Sequence, residues 1–187
     1  SSFLEESPTK SQRIPRELDL RGQYFTNNDF TNQDLRESVF HIGKFQNVDF
    51  SNTYLENADF KFTVMSGTNF NGANLKNTDF SRAVITSSDF SSAELTNVDL
   101  STAKIVLTKF TNAILSNSKF LGTGLEYIDF NGANLENSVF ERSVMTHSDM
   151  KNTKIKNMEM RFAYFYNVDF NGVDFSEIIL GPQNSFA

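Results

Sequence analysis

An apolar residue stands at every fifth position from Leu20 to Leu180, and the register neither slips nor admits an insertion. This spacing matches neither an amphipathic helix, with its period of about 3.6 residues, nor the simple alternation of a half-buried strand. Fixed self-similarity over such a length indicates a repeat architecture, in which stacked units bury a common core.

A second period, of twenty residues, runs through the same positions. Sorted by twenties, they form four columns, each named here by its first member: Phe25, Phe30, Leu35 and Phe40. The Leu35 column is mostly leucine, the Phe30 column is phenylalanine except for Met150, and the Phe40 column is mostly phenylalanine. If five residues make one side of a four-sided coil, each column is a stack of like side chains inside it. The chain then divides into about eight coils of twenty residues.

The positions around each column residue agree with a narrow tube. The residue two places before it is small, as expected where Phe and Leu fill the interior, and the residue directly before it is often Asp or Asn. Two places after the Phe30 and Leu35 columns, Asn and Gly predominate, and both tolerate the positive φ of a type II turn. The corner after the Phe40 column is expected to be a different turn, with its side chains directed outward. Its residues are Ile42, Phe62, Arg82, Thr102, Gly122, Arg142, Phe162 and Pro182.

The pattern resembles that of the pentapeptide-repeat proteins, whose loose motif is a small residue, Asp or Asn, Leu or Phe, and two variable positions. Residues 73–77 (Ala-Asn-Leu-Lys-Asn) and 133–137 (Ala-Asn-Leu-Glu-Asn) match this motif closely. The resemblance covers residues 20–180. It implies an all-β fold, a right-handed quadrilateral β-helix with four short sides per coil. It implies no single activity, because a fold of this kind serves different functions.

Three segments follow from the pattern. We expect an N-terminal tail or cap at residues 1–19, the β-helix at 20–180 and a C-terminal tail at 181–187. A solenoid normally caps its end coils, which otherwise expose strand edges and core side chains. An end-to-end homodimer is one way to cover such an end.

The sequence lacks the residue groupings that catalysis requires. It has no Cys, its two histidines (His41 and His147) fall five coils apart, and no Gly-rich phosphate loop occurs. We therefore expect no enzyme activity, cofactor or metal.

The net charge of −6 disfavours direct binding to nucleic acid, and no apolar run is long enough to span a membrane. The absence of Cys suits a cytoplasmic protein, although it also suits many secreted bacterial proteins.

Binding sites in repeat proteins occur where outward positions leave the consensus. We therefore favour a protein-interaction scaffold that binds a partner protein through such positions. The coil at residues 101–120 departs most and carries no acidic residue. Its candidate residues are Lys104, Val106, Leu107, Lys109, Ile114 and Lys119, of which we expect only Val106 and Leu107 to share one patch. A second candidate set is Phe162, Tyr164 and Tyr166, grouped with Tyr24.

The alternative is an acidic DNA mimic that binds DNA gyrase, as in the fluoroquinolone-resistance members of the family. The net charge of −6 favours it. The position directly before the Phe30 column carries a row of aspartates that could imitate backbone phosphates, but Asn69 and Lys109 interrupt the row. A duplex strand has no such gap, since its charges recur every ~3.4 Å. The row consists of Asp29, Asp49, Asp89, Asp129, Asp149 and Asp169.

Overall fold

The chain coils into stacked parallel β-structure. The computed structural model describes residues 18–180 and 185–186. Strands β1 to β8 pair in parallel in chain order, each with the strand twenty residues later, so that Phe25 lies opposite Phe45. The strands are β1 (Tyr24–Thr26), β2 (Lys44–Gln46), β3 (Val64–Ser66), β4 (Val84–Thr86), β5 (Lys104–Val106), β6 (Gly124–Glu126), β7 (Val144–Asp149), β8 (Tyr164–Asp169) and β9 (Ser185–Phe186).

The other three sides of each coil are held by single parallel bridges twenty residues apart, such as Asp29 with Asp49 and Val39 with Asp59. Strands and bridges together give four short sides per coil. The predicted all-β quadrilateral β-helix of about eight coils is therefore confirmed.

The interior is filled by the four predicted columns. Within a column the rings stack, as with Phe50 and Phe70, whose centroids are 5.0 Å apart at an interplanar angle of 5°. Between columns they meet edge to face, as with Phe60 and Phe70 at 5.8 Å and 86°. Both arrangements are favourable for aromatic pairs. Every column residue from Leu35 to Phe165 is buried, whereas Phe175 in the last described coil is exposed.

The corners share a positive φ. Every fifth residue from Gly22 to Gly172 has a positive φ, including Ile42 and Phe62 after the Phe40 column. That corner is also closed by a turn hydrogen bond, since the Gly43 N–H donates to the Phe40 carbonyl at 2.9 Å, as in the corners after the Phe30 and Leu35 columns. The prediction of a different turn there is wrong, although its outward apolar side chains are confirmed.

The corner that differs follows the Phe25 column, where β1 to β8 lie. In the described coils no turn hydrogen bond closes it. At three coils the backbone N–H there instead reaches a hydroxyl in the next coil: Thr68 donates to Ser88 Oγ at 3.1 Å, Ser88 to Thr108 Oγ1 at 3.3 Å and Ile128 to Ser148 Oγ at 3.0 Å. Because the chain is not drawn into a tight turn, this side stays extended, and the continuous strands form here.

The ends of the described region continue the stack. Asp19 bridges to Val39, and the backbone of β9 pairs with β8 through Tyr164 and Phe165. Residues 1–17, which make up nearly all of the expected N-terminal tail or cap, lie outside the described residues. The expected tail at 181–187 lies outside them except for the β9 backbone. Both segment boundaries stay predictions.

Candidate protein-binding face

One side of the tube differs from the other three in what it exposes. We define the sheet face as the outward positions of β1 to β8 (residues 24, 26 and their twenty-residue repeats) with its two bordering corners. The entry corner is residues 22, 42 and onward to 162, and the exit corner is residues 27, 47 and onward to 167. The exposed large apolar side chains of this face are Tyr24, Ile42, Phe62, Val64, Val84, Leu107, Tyr127, Val144, Phe162, Tyr164 and Tyr166.

Elsewhere in the described region such side chains are few. Ile114 lies on another side of the tube, Leu121 lies in the entry-corner turn directly before Gly122, and Phe175, Ile179 and Leu180 lie in the last described coil. Single exposed apolar residues are ordinary on a protein surface, but a continuous set along one face is not. The sheet face is therefore the main apolar surface of the described rod.

The backbone at the corners of this face is strained. Ile42, Phe62, Leu107 and Tyr127 adopt φ between 51° and 58°, a region that non-glycine residues seldom occupy and β-branched residues almost never. At the two corners that do not border the sheet, nearly all positive-φ positions are Asn or Gly. Both corner types have the same φ, so the coil does not require apolar residues at the sheet corners.

Charge is also distributed unevenly around the tube. The sheet face carries four cations and a single acid, Glu126, although the whole chain has a net charge of −6. Three of the cations lie over aromatic rings of the preceding or following coil at cation–π distances. These pairs are Lys44 with Tyr24 at 5.0 Å, Arg82 with Phe62 at 5.2 Å and Arg142 with Phe162 at 5.3 Å. The fourth cation is Lys104.

The sheet face has a depression at Gly124. This glycine lies between Lys104 and Val144 in the outward column, and a Cβ added to it would meet no atom within 4 Å. The depression has a volume of about 140 Å³. Its walls and floor include Lys104, Val106, Glu126, Val144, Thr146 and the backbone of Leu125.

The candidates from the coil at residues 101–120 do not form one site. Lys104 and Val106 belong to β5 and Leu107 to the exit corner, so these three lie on the sheet face. Lys109, Ile114 and Lys119 each bridge along a different one of the other three sides. The expected patch of Val106 and Leu107 is thus part of a larger surface, and the other three candidates point elsewhere.

The aromatic set at the C-terminal coils does come together. Phe162 lies at the entry corner, and Tyr164 and Tyr166 lie outward on β8. Grouping Tyr24 with them was wrong, because β1 lies at the opposite end of the sheet.

Sequence reasoning missed Tyr127, which lies on the same face. Its ring stacks on His147 with centroids 5.1 Å apart, and His147 meets the ring of Tyr166 at 5.5 Å. The available signal was the filling of exit-corner positions by aromatic residues in consecutive coils.

The aspartate row lies together on the second side of each coil, with Asn69 and Lys109 in the same line of bridges. Its carboxylates also close the coil locally, because Oδ1 accepts the backbone N–H two residues later, at 2.9 Å for Asp29 with Thr31 and 2.8 Å for Asp89 with Ser91. The Thr31 hydroxyl and N–H hold the pKa of Asp29 below its usual value.

Among residues 18–180 and 185–186, no three His, Asp or Glu side chains are grouped so that they could hold a metal ion. Within the same residues, no helix has the length and apolarity to cross a membrane. A cleft of about 330 Å³ opens between Lys154 and Asp174, but its lining mixes both charges, and Lys156 and Glu177 pair across it at 3.5 Å.

Solved structures with the same architecture include two proteins of similar length. HetL, a pentapeptide repeat protein involved in heterocyst differentiation regulation in the cyanobacterium Nostoc sp. strain PCC 7120, superposes with a TM-score of 0.52 at 16% identity, over 90% of this chain and 89% of that chain. A trypsin-treated form of QnrB1, a plasmid-mediated fluoroquinolone resistance protein, gives a TM-score of 0.52 at 15% identity, over 86% and 93% of the two chains. Identities this low show a shared fold alone.

Family models extend the comparison to the sequence. No curated protein sequence matches the chain significantly. A family model described as a pentapeptide repeat region matches residues 55–130, and one described as pentapeptide repeats in eight copies matches residues 125–157. Because the two matches together span more than half of the chain, and the coils keep the same register on both sides of them, the chain belongs to the pentapeptide-repeat proteins.

Proposed function

We propose that this chain is a non-enzymatic protein-interaction scaffold that binds a partner protein on its sheet face. One observation carries the proposal: exposed apolar side chains occupy strained positive-φ corners, and among residues 18–180 they do so only beside the sheet. Leu107, for example, combines a φ of 51° with a side chain that is 58% exposed.

Folding alone does not account for these residues. A left-handed conformation costs a residue with a Cβ about 1–2 kcal/mol, and Asn or Gly serves at the corners away from the sheet. Backbone strain of this kind is typical of functional positions. Large exposed apolar patches mark interaction surfaces, and aromatic residues and Arg are typical of interface hot spots. Each of the pairs Phe62 with Arg82 and Phe162 with Arg142 combines an exposed aromatic ring with an arginine.

The acidic DNA mimic remains the alternative, with less support. The aspartates of the row lie in one line, but Lys109 breaks it and the carboxylates serve as turn acceptors. The row therefore has a structural explanation in the repeat itself. The likeness to QnrB1 concerns the fold.

A variant with Phe62→Asn, Leu107→Asn and Tyr127→Asn tests the proposal, because Asn suits the backbone of these corners. We expect its thermal midpoint to stay unchanged or rise, since relief of strain offsets the lost apolar contacts. A partner captured by the unaltered chain from the organism's own lysate, identified by mass spectrometry and then purified, should bind this variant at least about tenfold more weakly by calorimetry, the loss expected when hot-spot side chains are removed.

The matched control is Ile114→Asn, which removes an exposed apolar side chain from a different side of the tube and should leave the affinity unchanged. Equal binding by the triple variant would contradict the proposal. If the purified chain inhibits supercoiling by gyrase and Asp89→Lys abolishes the inhibition, the DNA-mimic alternative takes its place.

A further inference from the structure

We infer that the depression at Gly124 is the anchor point of the sheet face, and that it receives an aliphatic side chain adjacent to an acidic residue on a partner polypeptide. This inference rests on the proposed function, because it names the place and the chemistry of the contact. It specifies the pocket on the sheet face that a partner side chain fills and the charge of the partner group beside it.

Neither the backbone nor steric crowding calls for glycine at this position. Its φ is not in the left-handed region, and an added Cβ would meet no atom within 4 Å. Position 124 lies inside the run of outward strand positions from 24 to 164, and all the others in that run have a side chain, among them Val64, Val84 and Val144. Glycine inside a strand weakens it and often marks a place where another chain approaches closely.

The size of the depression fits one branched aliphatic side chain. Its volume of about 140 Å³ is close to the ~150 Å³ of an apolar cavity that binds benzene, so a Leu or Ile side chain has room in it. Val106 and Val144 offer apolar walls to such a group. A pocket that a partner residue fills and desolvates is the usual setting of a hot spot.

The charges around the depression set the polarity of the partner. Lys104 stands at its edge and is exposed, and no described carboxylate lies within ion-pair distance of it. Arg142 lies at the entry corner nearby, with Glu141 at 3.6 Å. Glu126 stands in the adjacent outward column and repels an acid from that direction. A carboxylate beside the anchor therefore lies toward Lys104.

The same charges argue against a second copy of this chain as the occupant. A second sheet face would bring its own Lys44, Arg82, Lys104 and Arg142 against these cations, with only Glu126 to compensate. Like charges set against each other across an interface are unfavourable. An acidic segment meets no such opposition here, although the remaining sides of the tube are acidic.

The test uses a phage-displayed library of random linear dodecapeptides selected on the full chain, with the affinity of the selected peptides measured by fluorescence anisotropy. We expect the peptides to share an aliphatic residue next to Asp or Glu. Gly124→Val fills the depression with the residue found at 64, 84 and 144, and Lys104→Glu reverses the charge at its edge. Each should weaken binding by about tenfold or more, as for loss of a hot-spot contact.

Matched controls separate this inference from the proposed function. Ser66→Val adds the same side chain to the sheet face away from the depression, and Lys119→Glu reverses a charge on another side of the same coil as Lys104. Both should bind normally. Peptides that lose affinity to the Phe62, Leu107 and Tyr127 triple variant but not to Gly124→Val would overturn the anchor and leave the face in place. Peptides indifferent to every sheet-face variant, no selected peptide at all, or binding only to vesicles of equal zwitterionic and anionic lipid would overturn both.

Discussion

At the scale of single residues, the Asp or Asn of each pentapeptide acts as a local acceptor. Asp29 Oδ1 accepts both the N–H of Thr31 at 2.9 Å and its hydroxyl at 2.7 Å, and Asn69 Oδ1 accepts the N–H of Asn71 at 2.8 Å. A carboxylate and an amide oxygen serve this geometry equally, as in other Asx turns. The interchange of Asp and Asn along the chain is thus explained without a requirement for charge.

Asp29 contributes to the pH dependence of stability, as do Asp19 and Asp174, whose pKa values are also lowered. The pKa of Asp29 is lowered in the folded chain, first by the Thr31 hydroxyl and then by the Thr31 N–H. Its stabilising effect is therefore complete above the unfolded value of about 3.9 and is lost as the pH falls through the lower folded value. Urea unfolding at pH 6 and in acid should show the decrease, and carboxyl NMR should show Asp29 titrating below the ordinary range.

Asp29→Asn is the control for that experiment, because it keeps an acceptor oxygen and removes the titration. It should unfold with a smaller loss of stability in acid. An Asp29 carboxyl that titrates at or above the value of an unfolded Asp would contradict the explanation.

At the scale of the structural element, the exit corner lacks a turn hydrogen bond, and in three coils a buried hydroxyl of the next coil accepts the backbone N–H instead. Thr108 Oγ1 accepts the N–H of Ser88 at 3.3 Å and donates to the carbonyl of Val106 at 3.0 Å. Ser148 does the same for Ile128. At the equivalent position of an earlier coil, Thr68 is equally buried, but its hydroxyl has no hydrogen-bond partner. This corner position therefore includes hydroxyls that make hydrogen bonds and one that makes none.

Replacing Thr108 by Val should destabilise the chain by about 1–3 kcal/mol, because it leaves the buried N–H of Ser88 unpaired. Thr68→Val makes the same chemical change at a hydroxyl without a partner, so it should be neutral or stabilising. Chemical denaturation of the two variants under identical conditions measures the difference. Equal effects would mean that the hydroxyl contacts do not hold this corner.

The corners also show what sequence could and could not predict. The four columns were predictable because their twenty-residue period is carried by large buried side chains, and Phe50 stacks on Phe70 as expected. Ile42 and Phe62 suggested a different turn, yet the core imposes the same positive φ on every corner whatever residue occupies it.

The face itself has no period of its own and depends on which side of the coil stays extended, which the column pattern does not reveal. Hence the sequence names Lys104, Lys109, Ile114 and Lys119 as candidates of one coil but does not show that only Lys104 among them lies on the sheet face. The outward valines at 64, 84 and 144 were the available clue, since β-branched residues favour strands.

At the scale of the whole molecule, the rod is a stack in which each coil touches only its neighbours. Stability in such a solenoid is approximately a sum of coil terms and coil-to-coil interfaces. Phe110, in the middle, stacks on Phe90 at 4.9 Å and on Phe130 at 5.1 Å. Phe30, in the first coil, stacks on Phe50 alone at 5.1 Å. The same substitution should therefore have different consequences at the two places.

We expect Phe110→Leu to destabilise the chain by about 1–3 kcal/mol, since it removes buried ring surface from a closed column, and Phe30→Leu to cost less because Phe30 is only partly buried. Native-state hydrogen exchange locates the effect. The Phe110 variant should lose amide protection in the coils on both sides, around β4 to β6, whereas the Phe30 variant should lose it only around β1 and β2. Uniform loss of protection along the whole rod in both variants would mean that the coils unfold as a single unit, and the nearest-neighbour description would then be wrong.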